Sequence, residues 1–484
     1  MTWMRWLGTV VAMLYGSLSQ VVWSEAVDSR DCYLDGWRSA LKCSRLTVGE
    51  GVTKVDLAVM VAPAVNEVGR APLYLLAGGP GQAASDLAPL LNLFDRINRE
   101  RAIVLVDRRG VGRSQPLDCG WKLDPPDDLE VFSAQLADCY LQQKDFANSL
   151  SSRQEVDDLE RVRQYLGHTK IALWGVSWGS RTALLYQQWY PESLNSLVLD
   201  AVAPIEVKVF LAATAAEQAL RKLERDCSGD PACARLGDWR ADLDQLLQDW
   251  DNDTRRFPDP YTGVLTGEPV PRWILLNIIR GALYLPETAA QLPYAIKQAG
   301  SGNYRPLAAI EGVLRGNNMS LGLTFSVACA EELSRTSDEE VASDSADTFL
   351  GTAYVALFER GCRVWPVAER PYPQPESRSH PVLLISGEAD PITPPVYADT
   401  HLDYLTDKQH LVVAGGGHSN SARGCIPELI ERFLKAPETS LDPGCVEEIQ
   451  RPPFMVDKFG PELGAQRGEA GGQMEIGGRG SDPG

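Results

Sequence analysis

The sequence is poor in the residues that build metal centres and nucleic-acid sites. It has only five histidines in 484 residues, and none of its ten cysteines forms a Cys-x-x-Cys pair, so the spacing typical of zinc ligands is missing. Lysine and arginine number 46 against 65 acidic residues, which gives a net charge of −19. Because phosphate binding requires clustered positive charge, we expect no nucleic-acid partner. We also predict no metal and no cofactor.

Apolar runs long enough for a membrane helix are also missing. Near the N-terminus, Arg5 precedes a mostly apolar stretch from Leu7 to Leu18, and short residues flank Trp23. This pattern is typical of a secretory signal peptide, here residues 1–24. The stretch is shorter than the about 20 residues that span a bilayer. We therefore expect an exported protein, periplasmic or secreted, with no stable membrane anchor.

The ten cysteines all follow this segment and fall into five neighbouring couples. Disulfides persist in exported proteins, and ten free thiols are the alternative. Sequence alone does not determine connectivity, but pairing between neighbours closes the shortest loops. The predicted disulfides join Cys32 to Cys43, Cys119 to Cys139, Cys227 to Cys233, Cys329 to Cys362, and Cys425 to Cys445.

The stretch from Ile171 to Leu185 organises the rest of the chain. It begins with an apolar run of strand length, continues with Gly-Val-Ser-Trp-Gly around Ser177, and ends with small and apolar residues at helical spacing. This order is typical of a nucleophile elbow, in which glycines allow strand and helix to approach closely. The helix N-terminus favours negative charge beside the serine. A plain Gly-Ser turn between core elements is the alternative.

Short segments of strand type recur on both sides of this stretch. They are residues 54–62, 72–77, 102–106, 197–201, 381–386 and 409–414. Helical patterns over 151–166, with Ser152 as a candidate N-cap, and over 427–435 alternate with them. The alternation predicts an α/β fold with a mostly parallel sheet and helices on both faces.

The alternation is interrupted between two of these strands. Residues 206–359 carry helical patterns, such as 239–250, and indicate a mainly helical cap domain inserted over the site. The α/β core that carries the sheet would then comprise residues 25–205 and 360–455. The glycine-rich C-terminus, residues 456–484, is predicted to be a disordered tail.

A glycine-rich loop, Gly-Gly-Pro-Gly at 78–81, follows one of the strands. It lacks the Lys-Ser/Thr of a P-loop and the glycine spacing of a dinucleotide site. It fits an oxyanion loop better, because glycine lets a backbone N–H approach a reacting carbonyl oxygen; a plain turn is the alternative. We assign the oxyanion donors to the N–H groups of Gly79 and Trp178. The charged loop 107–114 is predicted to tie the top of the sheet together.

A serine becomes a nucleophile when a base takes its proton and an acid orients the base. In a parallel sheet such groups lie at the carboxyl ends of strands. Only His418 follows a predicted strand, in contrast to the other four histidines, His168, His380, His401 and His410. We therefore predict His418 as the base.

Three acids compete for the orienting role. Asp390 follows the strand at 381–386, Asp200 ends the strand after the elbow, and Glu388 is a weaker third candidate. We predict Asp390, because the chain order Ser177, Asp390, His418 is the one expected for this architecture.

The Gly-Gly-Pro-Gly loop, the Asp-x-Arg-Gly-x-Gly-x-Ser motif, the elbow, the 387–394 stretch and Gly417-His418 together resemble the α/β-hydrolase family. More narrowly, they resemble its secreted tripeptidyl and prolyl aminopeptidase branch. The resemblance implies a peptidase that removes residues from a free peptide N-terminus. It also implies that acidic cap residues bind the substrate amine, for which Glu331 and Glu332 are the candidates; a solvated helix end is the alternative. Ala77 replaces the histidine common in prolyl aminopeptidases, which favours the tripeptidyl version.

Two other functions stay open from the sequence. A carboxylesterase would use the same machinery under a different cap. A non-catalytic binding protein of this fold usually has a broken triad, whereas the three residues here are all present. The leading hypothesis is a serine hydrolase acting on peptides.

Overall fold

The structure is a computed structural model, and it describes residues 28–119, 128–250, 255–259, 262–265, 269–314 and 319–462. The predicted signal peptide and residues 463–484 of the predicted tail lie outside these ranges. Within them, no helix combines the length and the apolar character that crossing a bilayer requires.

Nine strands of the described chain form one sheet. They are β1 Arg30–Cys32, β2 Leu41–Val48, β3 Val55–Ala62, β4 Leu73–Leu76, β5 Ile103–Asp107, β6 Ile171–Val176, β7 Leu194–Asp200, β8 Val382–Gly387 and β9 Lys408–Val413. Their order is β1-β2-β3-β5-β4-β6-β7-β8-β9. The first three pairs are antiparallel, and every pair from β5/β4 onwards is parallel. The predicted mostly parallel sheet is confirmed.

Fifteen α-helices lie in the described ranges. They are α1 Asp95–Asn98, α2 Leu129–Ala147, α3 Ser152–Tyr165, α4 Trp178–Trp189, α5 Ala213–Gly229, α6 Trp239–Trp250, α7 Arg272–Ala282, α8 Pro286–Ala289, α9 Leu292–Gly300, α10 Arg305–Leu314, α11 Leu321–Glu331, α12 Asp338–Ser345, α13 Ala353–Val364, α14 Pro395–His401 and α15 Ile426–Lys435. The predicted helix at 239–250 matches α6 at both ends.

Alternate residues of the central strands face opposite sides of the sheet. Leu173 and Leu384 pack in one apolar cluster with α3 and α4, whereas Trp174 and Ile385 pack in another with α1 and α15. Because both faces are covered, all six residues of β6 are buried, as is typical of a parallel strand. The prediction of helices on both faces is confirmed.

The start of α3 differs from the prediction by one residue. Ser151, not Ser152, is the N-cap, and its Oγ accepts a hydrogen bond from the Gln154 N–H at 3.2 Å. Ser152 is the first helical residue, and its N–H and Oγ both donate to Glu331. The Ser152 side chain is thus bonded to the Glu331 carboxylate of α11 and does not cap the helix. This explains why α3 begins one residue earlier than predicted.

Between β7 and β8 the described chain forms helices, from α5 to α13, and one isolated bridge between Pro258 and Leu265. Helices α5 to α10 share an apolar cluster of their own, which contains Trp239 and Leu275. By contrast, Phe325 of α11 belongs to the cluster on the sheet. The helical insertion is present, and its boundaries at 206 and 359 stay a prediction.

The five neighbouring cysteine couples form five disulfides, and the described chain has no free cysteine. They close loops of 6 to 33 residues. The longest loop joins α11 to α13 through Cys329 and Cys362. Each closure restricts the unfolded chain and therefore stabilises the fold.

The described chain extends into the predicted tail. Val456 packs against the cluster formed by α5 to α10, Asp457 and Gly460 form a bridge, and Glu462 pairs with Arg235. The tail boundary at 456 is therefore too early, because side chains up to 462 find partners on the helical insertion.

Candidate active site

Ser177 stands at the sharp turn between β6 and α4. Its backbone has φ 55° and ψ −122°, a conformation that residues other than glycine rarely adopt. A Cβ on Gly175 would collide with the Gly179 oxygen, and one on Gly179 would collide with the Leu76 oxygen of β4. The two glycines thus allow the tight turn that places Ser177 at the carboxyl edge of the sheet.

The glycine-rich loop after β4 lies against this serine. A Cβ on Gly78 would stand 3.1 Å from the Ser177 Cβ and 3.6 Å from its Oγ. The next residue, Gly79, has φ +114°, which favours glycine. Within the described chain, the N–H groups of Gly79 and Trp178 donate no hydrogen bond. Both donors are therefore free for an oxyanion. Trp178 is also the first residue of α4, where the helix dipole favours negative charge.

His418, in the loop after β9, is bonded to Asp390, in the loop after β8. Its Nδ1 lies 2.9 Å from Oδ2 and 3.0 Å from Oδ1 of Asp390. The Asp390 side chain is fully buried, and 10% of the His418 side chain is exposed. With Nδ1 engaged, Nε2 is the nitrogen left to take a proton from a serine.

Each member of this pair shifts the pKa of the other. Burial lowers the pKa of His418, but the charge of Asp390 and its hydrogen bond outweigh burial, so the pKa lies above its ordinary value. Burial likewise raises the pKa of Asp390, and here the charge and hydrogen bond of His418 prevail, so the pKa lies below its ordinary value. The pair is thus stabilised in its charged form.

Asp390 is held by its own loop. Oδ1 accepts the N–H groups of Ile392 at 2.9 Å and Thr393 at 2.8 Å, and Oδ2 accepts Thr393 Oγ1 at 2.8 Å. This is an Asx turn, in which the side chain bonds the backbone two and three residues on. The turn fixes the carboxylate so that it faces His418.

Asp200, the rival acid, connects the serine to the histidine loop. Its backbone oxygen accepts the Ser177 N–H at 2.9 Å. Its carboxylate accepts the N–H groups of Asn420 at 2.9 Å and Ser421 at 2.7 Å. Burial raises the pKa of Asp200 despite these hydrogen bonds. By bonding both segments, Asp200 brings the His418 loop beside Ser177.

Glu388, the third candidate acid, points away from this pair. Its Oε2 accepts the Gly415 N–H at 3.0 Å and lies 3.3 Å from Lys222 Nζ, and the side chain is 41% exposed.

In the described part of the chain, no group of three histidine, cysteine or acidic side chains could hold a metal ion.

A second Ser–His–Asp group occurs in β8, β9 and α14. His410 Nε2 lies 2.9 Å from Ser386 Oγ, and His410 Nδ1 lies 3.2 Å from Asp399 Oδ1. Ser386 is only 1% exposed and has no strained turn or glycine loop against it. Because an acyl substrate cannot reach a buried hydroxyl, Ser177 is the better nucleophile.

The remaining histidines have structural partners. His168 Nδ1 lies 2.8 Å from the Tyr74 hydroxyl, and His380 Nε2 lies 2.9 Å from the Pro191 oxygen. Both precede strands, as predicted, and His401 ends α14.

The charged loop 107–114 has the predicted bracing contacts. Arg109 Nε lies 2.6 Å from Asp158 Oδ2, with both side chains buried. Arg108 Nη1 lies 2.6 Å from Glu155 Oε2, and its Nη2 donates to the glycine-rich loop at 3.4 Å. The loop thereby joins α3 to the segment that faces Ser177.

Glu331 and Glu332 are both buried and already hydrogen-bonded. Glu331 accepts the Ser152 N–H at 2.7 Å and the Tyr372 hydroxyl at 2.7 Å, and burial raises its pKa despite these bonds. Glu332 forms an ion pair with Arg181 and accepts the Phe210 N–H at 3.2 Å. These contacts favour a structural role, and the solvated helix end considered from the sequence does not describe either residue.

Aromatic residues of the helical insertion contact the residues around the site. The backbone oxygen of Tyr284 accepts the backbone N–H of His418 at 2.7 Å, and the centroids of their two rings lie 5.0 Å apart, edge to face. Beside the elbow, Trp178 lies 6.1 Å from Phe210, which lies 4.4 Å from Phe358. The insertion therefore contacts both the residue after Ser177 and the histidine loop.

Thr393 and Tyr284 were not anticipated. The Asp-Pro-Ile-Thr sequence is a recognisable Asx-turn pattern and would have pointed to Thr393. For Tyr284 the sequence carries no signal, because its contact with His418 exists only once the insertion has packed on the sheet.

Comparisons with known proteins cover the same segments. The family model of the alpha/beta hydrolase fold matches residues 71–225, which include Ser177, and a model described as TAP-like protein matches 347–445, which include Asp390 and His418. The chain is 23% identical over 432 residues to YuaR of Escherichia coli (strain K12), a protein named as a hydrolase, with 82% of this chain and 84% of that protein covered.

Proline iminopeptidases match a shorter part. The chain is 33% identical over 131 residues to the proline iminopeptidase of Neisseria meningitidis (serogroup A, strain DSM 15465 / Z2491), covering 27% of this chain and 32% of that protein. It therefore spans about a third of the length of that relative. The crystal structure of a proline iminopeptidase from Mycobacterium smegmatis is 18% identical with a TM-score of 0.42, covering 82% of this chain and 99% of that one. By the two family models, the chain belongs to the α/β-hydrolase family and its C-terminal part is TAP-like.

Proposed function

We propose that this protein is an exported serine hydrolase of the aminopeptidase type, which uses Ser177, His418 and Asp390 to release residues or short peptides from free peptide N-termini. The observation that carries the proposal is the His418–Asp390 pair, with Nδ1 and Oδ2 2.9 Å apart. Asp200 ties the loop that carries His418 to the Ser177 backbone. Base, orienting acid and strained serine all lie at the same edge of the sheet, where such chemistry occurs.

The chemistry follows from these positions. His418 Nε2 takes the proton of the Ser177 hydroxyl while Oγ attacks the substrate carbonyl carbon, and the carbonyl oxygen becomes an oxyanion. The N–H groups of Gly79 and Trp178 stabilise that charge. His418 then donates its proton to the leaving nitrogen, the C–N bond breaks, and an ester to Ser177 remains. Water, deprotonated by His418, hydrolyses the ester and regenerates the serine.

The relatives favour a peptide substrate. Proteins named as proline iminopeptidases match this chain, and the C-terminal family model is TAP-like. Recognition of the substrate amine by Glu331 or Glu332 is part of the proposal that the resemblance suggested. For Glu332 it would require the amine to displace Arg181, so another acceptor for the amine fits these contacts better.

Export is supported by the five disulfides, because disulfides persist in oxidising compartments. The proposed signal peptide, residues 1–24, would direct the chain there. This part of the proposal is tested by expressing the full chain without any added signal sequence. We expect active enzyme to be secreted.

A carboxylesterase is the alternative within the same fold, since the serine, base and oxyanion donors would be identical. The two functions differ in what the substrate must carry. We expect faster hydrolysis of a peptide with a free N-terminus than of the same peptide acetylated at that end. Equal rates, or a strong preference for simple esters, would favour the esterase.

The nucleophile is tested with a fluorophosphonate probe and the Ser177→Ala variant. We expect the probe to label wild-type protein at Ser177, and the variant to lose kcat by on the order of 10⁶-fold while it keeps its fold. Ser386→Ala is the matched control, because it removes the serine of the buried Ser–His–Asp group. Labelling at Ser386, or turnover that survives Ser177→Ala, would overturn the assignment. Failure of the probe to label any serine would favour the non-catalytic binding protein.

A further inference from the structure

The helical insertion carries an arginine beside the histidine loop whose contacts include no acidic side chain. Arg280, near the end of α7, donates from Nη1 to the Tyr284 hydroxyl at 2.7 Å. Its guanidinium lies 5.2 Å from the Tyr284 ring and 4.1 Å from the Tyr354 ring. Its Nε is buried without a hydrogen-bond partner. The residue keeps part of its surface exposed, so a ligand can approach it.

Other buried arginines around the site are paired. Arg181 is bonded to Glu332, Arg109 to Asp158 and Arg108 to Glu155. In the described chain no carboxylate lies within ion-pair distance of Arg280. Burial lowers the pKa of Arg280, but Tyr284 and Tyr354 outweigh burial, so the pKa lies above its ordinary value. Arg280 therefore differs from these three arginines in having no carboxylate partner among the described residues, and a ligand that supplies a carboxylate would complete it.

Arg280 also lies on a defined side of the reacting groups. The Tyr284 ring separates the guanidinium from the His418 imidazole, with ring distances of 5.2 and 5.0 Å. His418 delivers its proton to the leaving nitrogen, so the leaving part of the substrate must lie on the histidine side.

We propose that Arg280 binds a carboxylate on the leaving part of the substrate. This inference rests on the proposed function. The carboxylate is either the C-terminus of a short peptide or an acidic side chain near the cleaved bond, because both present the same planar pair of oxygens. A guanidinium is suited to such a pair of oxygens, because its N–H donors lie in one plane.

The aromatic surroundings suit such a site. Tyr284 and Tyr354 contact the guanidinium from their ring faces, and Tyr354 lies 5.3 Å from Phe358, which continues the wall toward the elbow. Apolar walls lower the local dielectric and strengthen an ion pair formed there. The site would therefore select short peptides with a negative charge near the cleaved bond.

The test compares three matched peptides with the same residues at the cleaved bond. One has a free C-terminal carboxylate, one is amidated, and one is amidated but carries glutamate in the leaving part. We expect wild-type kcat/KM to be about tenfold or more higher for a peptide with a carboxylate than for the plain amide. The first and third peptides distinguish the C-terminus from a side chain as the source.

The variants are Arg280→Gln and Arg280→Lys, with Arg423→Gln as control, since Arg423 is already paired with Glu287 at 2.9 Å. The measured quantity is kcat/KM for a peptide with a carboxylate divided by kcat/KM for the plain amide. We expect this ratio to fall close to one in Arg280→Gln, to fall less in Arg280→Lys, and to stay at the wild-type value in Arg423→Gln. The ratio compares substrates on one enzyme, so partial loss of folded protein does not affect it.

Two results would overturn the inference: a wild-type ratio of one for both carboxylate peptides, or an unchanged ratio in Arg280→Gln. Either result with fluorophosphonate still labelling Ser177 leaves the proposed hydrolase function intact. Absence of Ser177 labelling in the wild-type protein would instead refute the proposed function itself.

Discussion

The carboxylate of Asp200 accepts the backbone N–H of Asn420 at 2.9 Å, two residues after His418. The same residue accepts the Ser177 N–H on its backbone oxygen. A single residue at the end of β7 therefore sets the relative position of the proposed nucleophile and the loop of the proposed base, and the proposed proton transfer does not involve its carboxylate.

Replacing Asp200 with asparagine should cost both stability and activity. The new amide group would face the N–H donors of Asn420 and Ser421, so at least one buried donor would lose its acceptor. We expect the free energy of unfolding, measured by urea denaturation, to fall by about 3 kcal/mol, with a lower kcat. Glu388→Gln is the control, because that exposed acid should change neither by much. Wild-type values in Asp200→Asn would contradict the bridging role.

Replacing Asp390 with asparagine should leave the fold in place and remove most activity. Asparagine carries no charge, so His418 loses both its orienting partner and the stabilisation of its protonated form. We expect kcat to fall on the order of 10³- to 10⁴-fold, measured on the best peptide substrate. A loss of less than tenfold would mean that another acid orients the base.

The pH profile should show an acid limb set by His418. Only the neutral imidazole can take the serine proton, and the pKa of His418 lies above its ordinary value of 6.5. Activity should therefore be full above that raised pKa and fall as the pH decreases through it. We expect log kcat/KM to bend above pH 6.5 in the wild-type protein. The residual activity of Asp390→Asn should bend at lower pH, because the charge of Asp390 then no longer opposes the effect of burial on the pKa of His418.

The two cap glutamates can be assigned by separating stability from substrate binding. Glu332→Gln breaks a buried ion pair with Arg181, and we expect the free energy of unfolding to fall by about 3 kcal/mol or more. The pair of Lys208 and Glu340 offers a control, because the Glu340 side chain is 44% exposed and Glu340→Gln should cost no more than about 1 kcal/mol. If the ratio of kcat/KM for free and acetylated peptides collapses in a stably folded Glu331→Gln or Glu332→Gln, amine binding is assigned to that residue.

Gly179→Ala should disrupt the elbow. The added Cβ would collide with the Leu76 oxygen in β4, so strand and helix must separate. We expect a loss of about 3 kcal/mol in unfolding free energy and of fluorophosphonate labelling at Ser177. Gly229→Ala, in α5 where a Cβ meets no atom within 4 Å, should be neutral or slightly stabilising. If the two variants had the same unfolding free energy and the same labelling at Ser177, the close approach of α4 to β4 at Gly179 would not matter for the elbow.

Local sequence patterns predicted the sheet, the elbow and the residues Ser177, Asp390 and His418, because each follows from strand periodicity or from a turn that needs glycine. The structure brings Asp390 and His418 together, and their catalytic role stays a proposal. The function of Asp200 was not predicted, since a strand-end aspartate looks the same whether it orients a histidine or holds a loop. The N-cap of α3 was misplaced for a similar reason, because a distant glutamate bonds Ser152.

The hydrogen bond from the backbone N–H of His418 to the backbone oxygen of Tyr284 connects the insertion to the loop that carries the proposed base. Any displacement of residue 284 must either break this bond or carry the histidine loop along. Movement of the insertion at residue 284 and alignment of the His418 imidazole are therefore mechanically coupled, and the proposed activity should be sensitive to cross-links that restrain the insertion.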